Sequence, residues 1–160
     1  MNLRPPSLSG DTHSKDEDVG GGLIIHCDKV AWFCIQYDDV YPLDVRDKDV
    51  LITASYLHDI SKATLMGYKH HMFNFNGTIV RGYEWSPNKD IDSNHASFSA
   101  KEGCKIVKGT IAQDKLEMLY HIIERHMKYK APFPETELEK LFALADHMMS
   151  RKEIGLNWEL

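Results

Sequence analysis

The chain has 160 residues, which suits one domain around one core and leaves no room for a second domain of ordinary size. Hydrophobic residues make up 42% and gather in runs such as Val50-Leu51-Ile52 and Leu141-Phe142-Ala143-Leu144-Ala145, which excludes disorder of the whole chain. A formal net charge of -5 and a pI near 6.0 exclude a general attraction to nucleic acid and leave only a local basic patch to provide one. No stretch approaches the roughly 18 consecutive apolar residues of a membrane span. The opening MNLRPPSLSG lacks the apolar core of a secretory signal, so a soluble cytoplasmic protein with no membrane partner is expected. Cys27, Cys34 and Cys104 contain no closely spaced pair of the zinc-binding kind and read as reduced thiols. They also lack the base and orienting partner of a catalytic thiol. Histidine is the unusual residue, with nine copies, and its placement decides what the excess means.

Residues 1–22, rich in Pro, Ser, Gly and Asp and closing on Gly20-Gly21-Gly22, read as a flexible arm in which His13 is a bystander. A helical domain is expected over 23–152, followed by a tail, 153–160. The first helix runs from Leu23 to Tyr37, where Ile24, Cys27, Val30, Ala31 and Cys34 recur at helical spacing and His26 faces inward at the edge of the stripe. A polar turn with Pro42 and Asp44 follows, and Asp47 is the expected cap of a second helix. That helix, Val50 to about Ile60, has apolar or small residues on most sides, as a central buried helix does. It closes on Tyr56-Leu57-His58-Asp59-Ile60-Ser61-Lys62, which brings two metal-competent side chains to its inner end.

From Leu65 to Asn94 the polarity is irregular, with His70, His71, Gly77, Gly82 and Pro87, and reads as a short helix followed by a long loop or a small hairpin near residues 72–93. A third helix, capped by Ser93 or Asn94, carries His95, Phe98, Glu102 and Ile106 along one side. The fourth, about Ile111 to Tyr129, offers two histidines. His126 shares a face with Leu119, Ile122 and Ile123, whereas His121, about 140° around the helix, keeps company with Glu117, Met118, Glu124 and Arg125. Pro132 and Pro134 interrupt the chain, and Glu135 opens a last helix to about Arg151 with Leu138, Leu141, Phe142, Ala145 and Met149 inward. Asp146 borders that stripe, an expensive place for an unpaired charge.

The inward or helix-end candidates are therefore His26, His58, Asp59, His95, His126 and Asp146, spread over all five expected helices. Imidazole nitrogens mixed with carboxylate oxygens suit one or two divalent transition-metal ions, manganese, iron, nickel, cobalt or zinc, better than the all-oxygen preference of magnesium. Asp59 has two oxygens to give and could bridge two ions. Such ions lower the pKa of water and polarise a phosphoryl oxygen, which is what hydrolysis of a phosphate ester needs. Lys62 could steady a carboxylate or a phosphate oxygen, with Arg81 and Lys101 as further cations for a substrate phosphate. Trp32, Trp85 and Trp158 read as packing groups first, and of them only Trp85, in a Gly- and Pro-bounded loop with Tyr83, could stack on a base.

These residues, in this order, resemble the HD-domain metal-dependent phosphohydrolases: His26 followed by Val30, then Leu57-His58-Asp59-Ile60-Ser61-Lys62, then His95, His126 and the Ala145-Asp146 pair. The resemblance spans about residues 23–150, and its sharpest element is His58-Asp59 with Lys62. It implies an all-α helical bundle with the metal site between helices. It further implies one ion on His26, His58, Asp59 and Asp146, and a second on Asp59, His95 and His126. Ser61 stands where such proteins usually carry glycine. A narrower similarity, on His58 through Thr64, Phe75 and His95-Ala96-Ser97-Phe98-Ser99-Ala100, is to the HD nuclease domain of CRISPR-associated helicase-nucleases, although no helicase part is present here. The expected activity is hydrolysis of a phosphodiester or phosphoanhydride in a nucleotide-like molecule. The alternatives are a nuclease on single-stranded nucleic acid, a di-iron oxygenase, and a metal-free binding module of the same fold.

Overall fold

A computed structural model of the chain describes residues 22–64, 67–75, 77–86, 89–127 and 130–151, with 64, 67–75, 80–86 and 89–92 described in backbone only. Residues 1–21 of the expected arm and the expected tail, 153–160, lie outside the described residues, and Gly22 already opens the first helix. Along the chain come α1 (Gly22–Val40), α2 (Val45–Leu57), α3 (Ile60–Thr64), β1 (Gly67–Phe75), β2 (Thr78–Ser86), α4 (Lys89–Val107), α5 (Gln113–Glu124) and α6 (Glu137–Met149). The result is an all-α bundle with one appended hairpin.

In α1 the buried face is Leu23, His26, Cys27, Val30, Ala31 and Cys34, while Ile24 is exposed. Leu23, four before Cys27, holds the inward place expected of Ile24. The second helix begins at Val45 rather than Val50, and its cap is Asp44, whose carboxylate accepts the Arg46 amide at 2.9 Å. The extra turn faces solvent and so carries no apolar period. Asp47, the expected cap, instead binds the Lys115 ammonium at 2.9 Å and ties α2 to α5.

β1 and β2 pair antiparallel in register from Gly67↔Ser86 to Phe75↔Thr78, and Gly77 supplies the positive φ of 82° at the tight end. Residues 67–86 therefore form the hairpin, somewhat earlier than expected, and the end of the expected loop is already α4. That helix departs from helical geometry at Asn94 (φ -125°, ψ 17°), so the break falls where a helix start was expected, with helical residues on both sides. Beyond the kink the inward face of α4 is His95, Ala96, Ser99, Ala100 and Gly103, whereas Phe98 and Ile106 are exposed. The expected side of Phe98, Glu102 and Ile106 is thus turned away from the core. Small residues win the inward face because the helices approach closely: a Cβ on Gly103 would stand 3.1 Å from the Leu57 Cβ.

α5 ends at Glu124, earlier than expected, because Arg125 leaves the helix to pair with Glu135 at 2.8 Å and Glu139 at 3.2 Å. α6 starts after Thr136, not Glu135, in a reciprocal capping box. The Thr136 hydroxyl accepts the Glu139 amide at 3.2 Å, and the Glu139 carboxylate accepts the Thr136 amide at 3.2 Å. The core lies between α1, α2, α5 and α6 and is built on Leu51, Leu119, Ile122, Ile123 and Phe142, all 0% exposed. Each such side chain contributes about 1.5–3 kcal/mol by leaving water. Among the described residues no helix is long and apolar enough to cross a membrane.

Candidate metal centre

The bundle brings six donor side chains to one place from five segments. His26 comes from α1, His58 and Asp59 from the turn between α2 and α3, His95 from the first turn past the α4 kink, His126 from just beyond α5, and Asp146 from α6. They fall into two groups, His26 with His58 and Asp146, and Asp59 with His95 and His126. In the first, His26 Nε2 lies 3.0 Å from Asp146 Oδ1 and 3.1 Å from His58 Nε2. In the second, His95 Nε2 lies 3.3 Å from Asp59 Oδ1 and 3.3 Å from His126 Nε2. Asp59 joins the groups: its other oxygen, Oδ2, lies 3.6 Å from His58 Nε2.

Hydrogen bonds at the far side of two rings settle which nitrogens are bare. His58 Nδ1 lies 2.9 Å from the Ser55 carbonyl and His126 Nδ1 2.7 Å from the Ile123 carbonyl. A carbonyl oxygen only accepts, so each Nδ1 carries the proton and each Nε2 turns its lone pair into the cluster. Asp59 Oδ1 is buried with no hydrogen-bond partner among the described residues. Lone pairs and a carboxylate oxygen facing one another in a buried place are costly unless a cation lies among them. Bonds of about 2.1 Å to an ion put neighbouring donors about 3.0 Å apart at right angles and about 3.4 Å apart in a tetrahedron, which is the spacing seen here. The residues fit divalent metal.

Electrostatics point the same way. Burial alone would raise the Asp59 carboxyl, yet the Lys62 ammonium beside it holds it well below the usual carboxylate range. Asp146 is likewise held low against burial, foremost by the hydrogen bond from His26 Nε2 at 3.0 Å. Burial pushes the His126 imidazole below its ordinary value, which keeps it neutral and able to bind metal. The thiol of Cys27 is pushed up by burial and then by Asp59, and that of Cys34 by burial to about 12, so both are unreactive.

The Lys62 ammonium donates to Asp59 Oδ2 at 2.7 Å, so of its two expected tasks the geometry shows the steadying of a carboxylate. Lys101 is exposed on α4, six residues past His95 and about 120° away from it around the helix. The side chains of Arg81, His70, His71, Tyr83, Trp85 and Phe75 lie outside the described residues, as does Trp158. His121 is half-buried with its ring edge against Tyr120, centroids 5.7 Å apart, rather than fully solvated, and it is not part of either donor group. Sequence reasoning missed three contributors: Phe142, whose ring meets the His58 ring edge-on with centroids 5.6 Å apart, and the buried hydroxyls of Ser61 and Ser99. Their only sequence signal was proximity, Ser61 two after Asp59 and Ser99 four after His95. A recess of about 50 Å³ beside His95, lined by Ser93, Asn94, Ser97, Glu124 and Lys130, adds polar groups at the edge of the cluster.

Metal-free protein is expected to lose stability on acidification. His126 has a folded pKa below the ordinary 6.5, so the unfolded chain takes up the proton first. Its contribution is complete above pH 6.5 and is lost as pH falls from there through the folded value. The contributions of Asp59 and Asp146 persist until pH falls below 3.8. Urea midpoints measured in chelator should fall between pH 8 and pH 5 (round working values, about 1.5 units either side of the titration). An unchanged midpoint would contradict this.

A helical bundle that gathers two buried His/Asp groups between its helices defines a class of proteins with a metal-binding, hydrolase-type centre. The chain matches the HD domain family over residues 23–149, which is most of its length, and belongs to that family. No curated protein and no solved structure matches it significantly.

Proposed function

We propose that the protein is a metal-dependent phosphohydrolase that cleaves a phosphodiester or phosphoanhydride in a nucleotide-like molecule. The observation that carries this reading is Asp59, which turns one oxygen to His95 and the other to His58 and Lys62, between the two donor groups. His26, His58, Asp59 and Asp146 would hold one ion, and Asp59, His95 and His126 the other. When bound, divalent ions supply positive charge to a phosphoryl group and lower the pKa of water. The mixed nitrogen and oxygen donors favour manganese, iron, cobalt, nickel or zinc over magnesium.

The chain's own side chains prepare that chemistry. Lys62 keeps the Asp59 carboxylate ionised and fixed. The Ser55 and Ile123 carbonyls set the tautomers of His58 and His126, and Phe142 covers the inner side of His58 against water. Arg81 and Lys101 remain proposed contacts for substrate phosphate, and the net charge of -5 favours a small nucleotide over a polynucleotide.

The test supplies manganese, iron, cobalt, nickel, zinc or magnesium separately to the purified chain. Each form is offered nucleotides, cyclic dinucleotides, and single-stranded and duplex DNA and RNA. Turnover of the small nucleotides is expected. Turnover of nucleic acid alone would replace this reading with the nuclease one. Oxygen consumption by an iron form without hydrolysis would replace it with the oxygenase, and folded protein that neither binds metal nor reacts would be a binding module.

A further inference from the structure

Ser61 and Ser99 are both 0% exposed, and neither carries out any task described so far. Their hydrogen bonds form a directed chain. The Ser61 amide donates to Ser99 Oγ at 3.1 Å, the Ser99 hydroxyl donates to Ser61 Oγ at 2.8 Å, and the Ser61 hydroxyl donates to the His95 carbonyl at 3.1 Å. Every proton has one acceptor, so the set is internally satisfied. The Ser61 amide lies in the first turn of α3, where backbone donors have no partner inside their own helix; Ser99, from α4, supplies one.

What these bonds join matters more than their number. Asp59 sits immediately before α3, and His95 sits immediately after the Asn94 kink in α4. The two segments come from different parts of the chain, yet their donors must stay 3.3 Å apart for one ion to use both. The Ser61 hydroxyl reaches the backbone of His95 itself, and Ser61 is two residues from Asp59. None of the three bonds touches α1 or α6, which bring His26 and Asp146.

We propose that Ser61 and Ser99 are positioning residues that hold His95 against Asp59 in the second donor group, Asp59, His95 and His126, and set that group's affinity for metal more than the first group's. This rests on the reading of the six donors as two ion sites, and it does not depend on which substrate is cleaved. Loosening a contact that orients a ligand typically costs 10–100-fold in metal affinity. His95 serves only that group, so the loss should be larger there than at the first. A pair that merely tied α3 to α4 would lower thermal stability and leave the ratio of the two affinities unchanged.

The experiment is a manganese titration of metal-stripped wild type, Ser61→Ala, Ser99→Ala and the double variant. Stoichiometry is followed by calorimetry and ion–ion coupling by electron paramagnetic resonance. Wild type should take two ions with a spin-coupled signal. Each single variant should lose about 10–100-fold at one site and clearly less at the other. The double variant should be little worse than the singles, because the two hydroxyls act as one unit. Both buried serines become smaller in these variants, and unchanged helical circular dichroism confirms the fold. Two ions at wild-type affinity in both single variants, or an equal loss at both sites, would overturn the proposal. A wild type that binds one ion would instead defeat the two-site reading, and the proposal with it.

Discussion

Asp59→Asn is expected to leave a folded protein that has lost on the order of 10³-fold in hydrolysis, about 4 kcal/mol of barrier. The asparagine keeps the shape of the carboxylate and one carbonyl oxygen, which can still accept from Lys62, whose ammonium lies 2.7 Å from Oδ2 in the native protein. It removes the negative charge that faces His95 on one side and His58 on the other. Both ions should therefore bind more weakly, and bound manganese should lose its spin coupling. Asp59→Ala is the less clean variant, because it leaves the Lys62 ammonium, only 8% exposed, without the carboxylate it binds, and unfolding then confounds the assay. An Asn variant that keeps two coupled ions and works within about tenfold of wild type would remove Asp59 from the centre of the site.

His126→Ala should abolish binding of the second ion and reduce activity by about 10²-fold or more, whereas His121→Ala should leave both within about threefold. The two histidines are five residues apart, yet they meet different surroundings. His126 is 1% exposed, directs Nε2 to within 3.3 Å of His95 Nε2, and is held from behind by the Ile123 carbonyl. His121 lies against Tyr120, outside both donor groups. Elemental analysis of the two variants, purified side by side, separates these roles. Metal lost from the His121 variant and kept in the His126 variant would refute the assignment.

The helical period on α5 and α6 was readable because each presents a continuous apolar stripe to a single core, with polar residues opposite. Leu119, Ile122, Ile123, Phe142 and Ala145 are all fully buried as their spacing implied. The face of α4 was misread for a physical reason. Hydrophobicity ranked Phe98 and Ile106 above Ala96, Ala100 and Gly103, but close helix approach rewards small side chains, and the larger ones were left outside. The early end of α5 was equally hidden, since it depends on Arg125 reaching Glu135 and Glu139, residues beyond the next turn of chain.

By itself the sequence determined which atoms could meet a metal: six imidazole and carboxylate side chains, each at an inward or helix-end position, in an order that already implied their family. Their number and chemical type are properties of residues, and local periodicity is enough to turn them inward. Only the tertiary structure decided that His26 and Asp146, 120 residues apart, stand 3.0 Å from each other, and that Asp59, grouped with His95 and His126, also brings Oδ2 to 3.6 Å from His58 Nε2. Separations of that kind are set by how helices seat against one another across the core, through Gly103 on Leu57 and Ser61 on His95. Those contacts are long in sequence and leave no period behind.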